Sequence, residues 1–293
     1  MLQGVYTAMI TPFSAGRVDD QQLAANVNYQ IEQGVDGLVP VGTTGESPTL
    51  DHDEHQRVIE AVVNAADGRV PVIAGTGSNA TAEALQLTRH AASVGADAAL
   101  MVNPYYNKPT QQGLYRHFMT VADAVDLPII LYNIPGRTNI TMQPATVARL
   151  AEHPNIVAIK EATGSMDIAS EILMLCGENI VVVSGDDSLT LPLMAIGATG
   201  VISVISNLLP AQVKAMVDAA QEGDFLGARE HHAQLFPLFK AMFLETNPIP
   251  IKTAMAIFGR DTGELRLPLC EMDPQHRETL QNILRDAGLS PAL

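Results

Sequence analysis

NIVAIKEATG, residues 155–164, sets four apolar residues in front of a lysine, a glutamate and a small-residue turn. Ile156, Val157, Ala158 and Ile159 leave no polar face, so a strand formed here is buried on both sides, as the strands of a parallel sheet are. Seven other runs read the same way: VYTAMI (5–10), GLVPV (37–41), PVIAG (71–75), AALMV (98–102), PIILY (128–132), IVVVSG (180–185) and GVISV (200–204). Between them lie amphipathic segments such as DHDEHQRVIEAVVNAA (51–66) and TAEALQLTRHAASVG (81–95), whose apolar residues recur at helical spacing. Parallel strands joined by helices need right-handed crossovers. Eight such units in roughly 200 residues predict a (β/α)8 TIM barrel, over residues 1–224, in preference to an open doubly wound sheet. From Phe225 to residue 293 only helical patterning remains, in GAREHHAQLFPLFKAMF, PIPIKTAMAIF and PQHRETLQNILRDAG. That part reads as a C-terminal helical appendage, with no low-complexity linker to keep it from packing on the barrel.

Composition narrows the function. Hydrophobic residues make up 47% of the 293, enough for a large buried core. Against 32 Asp and Glu stand 17 Lys and Arg, and a net charge of −15 repels phosphate backbones and anionic bilayers. With no Trp to stack on bases, the expected partners are small molecules, with no nucleic acid and no membrane. The start, MLQGVYTAMITPF, has no basic region ahead of an apolar stretch, and no apolar run is long enough to span a bilayer, which predicts a cytoplasmic protein. Cys176 and Cys270 are far apart and outside any CxxC pattern, so they read as free thiols.

One motif is a decoy. AGTGSNATAEAL gives Gly75, Gly77 and Ala80 between a strand and a helix, as a dinucleotide fingerprint would. The acidic residue that should hold a ribose is missing, because Asp97 falls at the start of the next strand and not at its end. The glycines read as an ordinary turn that needs small residues.

Catalytic residues of a TIM barrel sit at the C-terminal ends of its strands. Lys160 is at such an end. Apolar neighbours strip water from its ammonium, lower its pKa and free the amine to attack a carbonyl; the competing reading pairs it with Glu161 or another rim carboxylate. The other lysines, Lys108, Lys214, Lys240 and Lys252, fall on helices or loops. Tyr132 ends the fifth run in PIILYNIPGR, where a phenol could relay protons or simply pack. Arg137 follows and could grip a carboxylate in bidentate fashion or stay solvated. GTTGESP (42–48) offers backbone amides and hydroxyls fit for an anion.

Taken together, GTTGE, YNIPGR, IKEATG, SGDD and GVISV, each at its own strand end, with NPIPIK (247–252) in the appendage, resemble the dihydrodipicolinate synthase and N-acetylneuraminate lyase family of pyruvate-dependent class I aldolases. The resemblance spans the whole chain. It implies that Lys160 forms the Schiff base with pyruvate and that Tyr132, Thr43 and Tyr106 form a proton relay, Tyr106 reaching a neighbouring subunit. It gives Thr43 and Thr44 the pyruvate carboxylate, Gly185 and the carbonyl of Ile202 the border of the pocket, and Arg137 the carboxylate of a second substrate, L-aspartate 4-semialdehyde. No cofactor and no metal are implied. The assembly it implies is a homotetramer built from two tight dimers.

DHDEH puts His52 and His55 three residues apart on one helical face, which is compatible with a metal or with a solvated surface. The resemblance adds a third reading. Ser47, Pro48, His52, His55, Asn79, Glu83 and Tyr105 fall where lysine-inhibited members bind L-lysine as a feedback inhibitor, between the two subunits of a dimer. Two rivals to the synthase reading stay open: an aldolase cleaving a sugar acid, which would keep Lys160 and Tyr132 without needing Arg137, and a non-catalytic sensor of pyruvate or lysine on the same fold. A metal-dependent aldolase is disfavoured because the eight histidines do not gather at strand ends.

Overall fold

The computed structural model describes residues 2–290. Every one of the eight apolar runs is a strand: β1 (Gly4–Ala8), β2 (Gly37–Val39), β3 (Ile73–Gly75), β4 (Ala98–Val102), β5 (Ile129–Asn133), β6 (Ile156–Glu161), β7 (Val181–Ser184) and β8 (Gly200–Ser203). All pair in parallel, in the order β2-β1-β8-β7-β6-β5-β4-β3. A bridge between Leu38 and Val72 joins the two outer strands and closes the barrel. Several strands stop short of their apolar run for local reasons. β2 ends at Val39 because Pro40 has no N–H to donate and Val41 turns into the left-handed region at φ 49°.

Side chains alternate along each strand, and the two faces bury into different places. Tyr6, Ala8, Val39, Ile73, Leu100, Ile130, Tyr132, Ala158, Val183 and Ile202 fill the barrel interior. Ile129, Leu131, Ile159 and Val182 face outward into a layer shared with the helices. Those helices are α1 (Asp20–Glu32), α2 (His52–Ala66), α3 (Thr81–Ser93), α4 (Gln111–Ala122), α5 (Pro144–Leu150), α6 (Met166–Cys176), α7 (Thr190–Ala195) and α8 (Pro210–Gln221). Four of them, α1, α2, α4 and α6, start at short polar side chains that cap a free amide: Asp19, Asp51, Thr110 and Ser165. Asp51 accepts from the Glu54 amide at 2.8 Å while the Glu54 carboxylate accepts from the Asp51 amide, a reciprocal box that opens α2.

The decoy resolves as packing. A Cβ on Gly75 would lie 2.4 Å from the Val41 carbonyl oxygen, and one on Gly77 would lie 2.3 Å from the Val102 nitrogen. Backbones approach too closely there for any side chain. Asp97 sits at the other end of the barrel, accepting from the Val72 amide.

Beyond the barrel come α9 (Phe225–Ala241), α10 (Ile249–Ile257) and α11 (Pro274–Asp286). Leu235, Leu238 and Phe239 of α9 and Leu280 and Leu284 of α11 share one apolar core with Val213, Met216 and Val217 of α8. α10 delivers Lys252 beneath the loop after β2. Its ammonium meets Glu46 Oε1 at 2.7 Å, donates to the Thr11 carbonyl at 2.9 Å and lies 4.2 Å from the Phe13 ring centroid. Both side chains of the pair are 0% exposed. Arg266 adds a second clasp, paired with Glu54 through both carboxylate oxygens, and its amide donates to Glu46 Oε2.

Removing one partner of a buried ion pair strands the other charge, so Lys252→Ala is expected to cost about 3–5 kcal/mol of stability, read as a lowered urea midpoint. Glu46→Gln combined with Lys252→Met removes both charges and is expected to cost less than Lys252→Ala alone.

Candidate active site

Register brings the two candidate residues together. β5 and β6 pair with Tyr132 opposite Lys160, both pointing inward at the C-terminal end of the barrel. The Lys160 ammonium lies 4.3 Å from the centroid of the Tyr132 ring, and the residue is 5% exposed. No carboxylate stands within ion-pair distance of it among the described residues. Glu161, the neighbour that might have neutralised it, points the opposite way because adjacent strand residues do. It accepts from the Thr163 amide at 2.6 Å and from Asn133. Burial pulls the Lys160 amine down to about 8, with the Asp187 carboxylate opposing and the Arg137 guanidinium adding to the shift. Burial pushes the Tyr132 phenol up to about 12, moderated by Arg137 and by a hydrogen bond to the Thr43 side chain.

Gly185 packs flat against the lysine. A Cβ there would fall 3.0 Å from Lys160 Cε and Cγ and 2.8 Å from the Ala162 Cβ, so only glycine lets the side chain extend into the barrel mouth. Ile202 is buried in the same interior cluster as Tyr132. A cavity of about 220 Å³ is lined by Thr43, Tyr132, Arg137 and Thr138 among others; Lys160, Gly185 and Ile202 are not on its wall, and Tyr132 links it to Lys160. Thr44 is buried behind Thr43, its hydroxyl accepting from Asn247 Nδ2 at 2.9 Å. Arg137 is exposed at the rim and donates to the Asn247 carbonyl at 3.0 Å. Tyr106 does not join this group. It is 89% exposed and in the left-handed region at φ 68°, directed away from its own barrel.

A second cavity of about 160 Å³ lies beside the first. Ser47, Pro48, His52, His55, Glu83 and Tyr105 line it, drawn from three segments of chain. Asn79 is not on this wall; its carbonyl, next to Ser78, accepts from Asn107 at 2.8 Å. His52 Nε2 is 2.7 Å from Glu83 Oε1, and Ser78 donates to the other Glu83 oxygen. His55 is held neutral, its pKa lowered to about 4, chiefly by burial. Ser47, Pro48, Gly77 and Tyr105 line both cavities. No group of three or more His, Cys, Asp or Glu side chains is arranged to hold a metal ion among the described residues.

Residues 1–287 match the model of the dihydrodipicolinate synthetase family. The chain belongs to that family. A 4-hydroxy-tetrahydrodipicolinate synthase of Pelobacter propionicus is 57% identical over 289 residues, covering 99% of this chain and all of the relative. The solved, chloride-inhibited dihydrodipicolinate synthase of Acinetobacter baumannii, complexed with pyruvate, superposes with a TM-score of 0.96 at 45% identity, covering 99% of this chain and 100% of that one. The synthase of Cyanidioschyzon merolae with lysine bound gives 0.95 at 40% identity, covering 98% of each chain.

Three groups around this dihydrodipicolinate synthetase family site escaped sequence reasoning. Asn247 and Lys252 belong to the appendage and meet Thr44 and Glu46 across more than 200 positions of sequence. Asp187 is buried, with one oxygen accepting from the Val204 and Ile205 amides and the other without a partner. Its place in SGDD after a strand was the available signal. No helix among the described residues is long and apolar enough to cross a membrane.

The lowered pKa sets a reactivity profile with a definite sign. Neutral amine is the reacting form, and its fraction grows as pH rises through about 8. Reductive methylation of the folded protein, followed by peptide mass mapping, should therefore show labelling of Lys160 climbing between pH 7 and 9.

Proposed function

We propose that this chain condenses pyruvate with L-aspartate 4-semialdehyde to give 4-hydroxy-tetrahydrodipicolinate, the first committed step of the diaminopimelate route to lysine. The observation that carries the reading is Lys160: a buried amine at a strand end, beside a phenol and without an ion-paired carboxylate among the described residues. Family membership and the names of the relatives support it.

The neutral amine of Lys160 attacks the ketone carbon of pyruvate, and loss of water leaves an imine. Loss of a methyl proton turns the imine into an enamine, whose carbon becomes the nucleophile. The enamine attacks the aldehyde of the semialdehyde, and the new alkoxide takes a proton. Tyr132 suits that donation, because a phenol held near 12 stays protonated at working pH and accepts its proton back through Thr43. Finally the semialdehyde's own amine displaces Lys160 and closes the ring. Thr43 and Thr44 hold the pyruvate carboxylate and Arg137 that of the semialdehyde, the role that separates this reading from a sugar-acid aldolase. Gly185 and Ile202 border the pocket. The lysine is its own electron sink, so the chemistry requires no cofactor or metal.

The second cavity is assigned to L-lysine as a feedback inhibitor, with Ser47, Pro48, His52, His55, Glu83 and Tyr105 around it; Asn79, the seventh residue of the assignment, stands off this wall next to Ser78. The Glu83 carboxylate suits the ligand's ammonium groups. A homotetramer made of two tight dimers fits the outward Tyr106, which would enter a neighbour's site, and the exposed apolar residues Met174, Leu175 and Ile196. The reaction and the acidic chain are in keeping with the cytoplasm.

Condensation of the two substrates, coupled to a reductase that consumes NADPH, tests the assignment. Wild type is expected to turn over, and Lys160→Ala to lose at least a thousandfold while no longer being trapped to pyruvate by borohydride. Near-normal turnover by that variant would refute the Schiff base. Trapping without turnover in the wild type would point instead to a sister aldolase with another acceptor.

L-Lysine added to the same assay is expected to lower the wild-type rate and to leave Glu83→Gln unaffected. A wild type that lysine neither inhibits nor binds, by rate and by calorimetry, would remove the regulatory assignment and leave the catalytic one standing.

A further inference from the structure

Asn247 opens the NPIPIK segment and touches both groups assigned to substrate carboxylates. Its side-chain amide donates to Thr44 Oγ1 at 2.9 Å, and its backbone carbonyl accepts from Arg137 at 3.0 Å. The residue is 5% exposed, and its Oδ1 is buried without a partner. Leaving an acceptor unpaired in the interior is costly, and a plain packing residue at this position would avoid the cost. Five residues on, the buried Lys252–Glu46 pair fixes the segment against the same loop that carries Thr44.

A hydroxyl has one proton and two lone pairs. Once Thr44 Oγ1 accepts from Asn247, its own proton is left to donate elsewhere, and this is its one hydrogen bond among the described residues. We infer that Asn247 is a positioning residue for pyruvate: its amide occupies a lone pair of Thr44 and so directs the Thr44 hydroxyl proton at the substrate carboxylate. Its main chain meanwhile holds the Arg137 guanidinium for the second substrate. The inference rests on the assignment of Thr44 and Arg137 made above.

Side chain and main chain thus serve different substrates, which gives the proposal a signature that a purely structural role lacks. Asn247→Ala removes the amide and keeps the carbonyl. It is expected to raise the KM for pyruvate roughly tenfold and to leave the KM for the semialdehyde within about twofold. Asn247→Asp keeps the shape but can only accept, so it captures the Thr44 proton and raises the pyruvate KM at least as far. In a Thr44→Val background Asn247→Ala is expected to add nothing, because the partner through which it acts is gone.

Equal rises in both KM values, an unchanged pyruvate KM in the isosteric Asp variant, or effects of Thr44→Val and Asn247→Ala that multiply would each overturn the inference. Thermal unfolding of every variant identifies any that lose activity by failing to fold, and the Asp variant carries the test if the Ala variant does so. A wild type that does not turn over the two substrates would instead remove the functional reading beneath it.

Discussion

The Glu46–Lys252 pair, closed off from water, is the contact on which the arrangement of the site depends. It joins the loop after β2 to α10, two parts of the chain that share no secondary structure. Buried pairs of this kind contribute little net stability, since desolvation offsets most of the attraction. What they impose is geometry, because neither charge can be left buried without its partner. Glu46 holds a left-handed backbone at φ 54°, a conformation costly for a residue with a side chain. Lys252 and the Arg266 amide, each taking one oxygen of its carboxylate, keep it there. The loop so pinned carries Thr43 and Thr44.

Lys160 and Lys252 are both buried, yet their chemistry is opposite. Lys252 has a carboxylate at 2.7 Å, a carbonyl and a ring face, a full set of partners for an ammonium. Lys160 has a ring face and, among the described residues, no ion-pair partner, so burial outweighs the opposing Asp187 carboxylate and the amine is pulled down to about 8. Burial alone does not make a lysine nucleophilic. The strand register that turns Glu161 outward is as much a part of the candidate site as the lysine itself.

The barrel was readable from the sequence, and the register was not. Eight apolar runs, each followed by a helix, defined the barrel, and strand-end position singled out Lys160 and Tyr132. Period-two alternation also separates Glu161 from Lys160, although the sequence left their pairing open. What stayed hidden were contacts whose partners lie more than 200 residues apart in the chain. Nothing local in NPIPIK marks Asn247 as the partner of Thr44, or Lys252 as that of Glu46. The His52 and His55 wall was in between: helical spacing put the two on one face, and only family resemblance joined them to Ser47, Glu83 and Tyr105. The fold then separated the pair, with His52 exposed against Glu83 and His55 buried and neutral.

The two cavities have a wall in common, formed by Ser47, Pro48, Gly77 and Tyr105. A molecule that settles in one and moves that wall changes the shape offered by the other, and such an influence is a property of the equilibrium between states, with no preferred direction. Whatever factor an occupant of the outer cavity imposes on pyruvate affinity, pyruvate must impose on that occupant. On the proposed assignment of the outer cavity to L-lysine, the level of pyruvate is then itself a setting on that ligand's grip, so the site responds to the supply of starting material as well as to the ligand's own abundance.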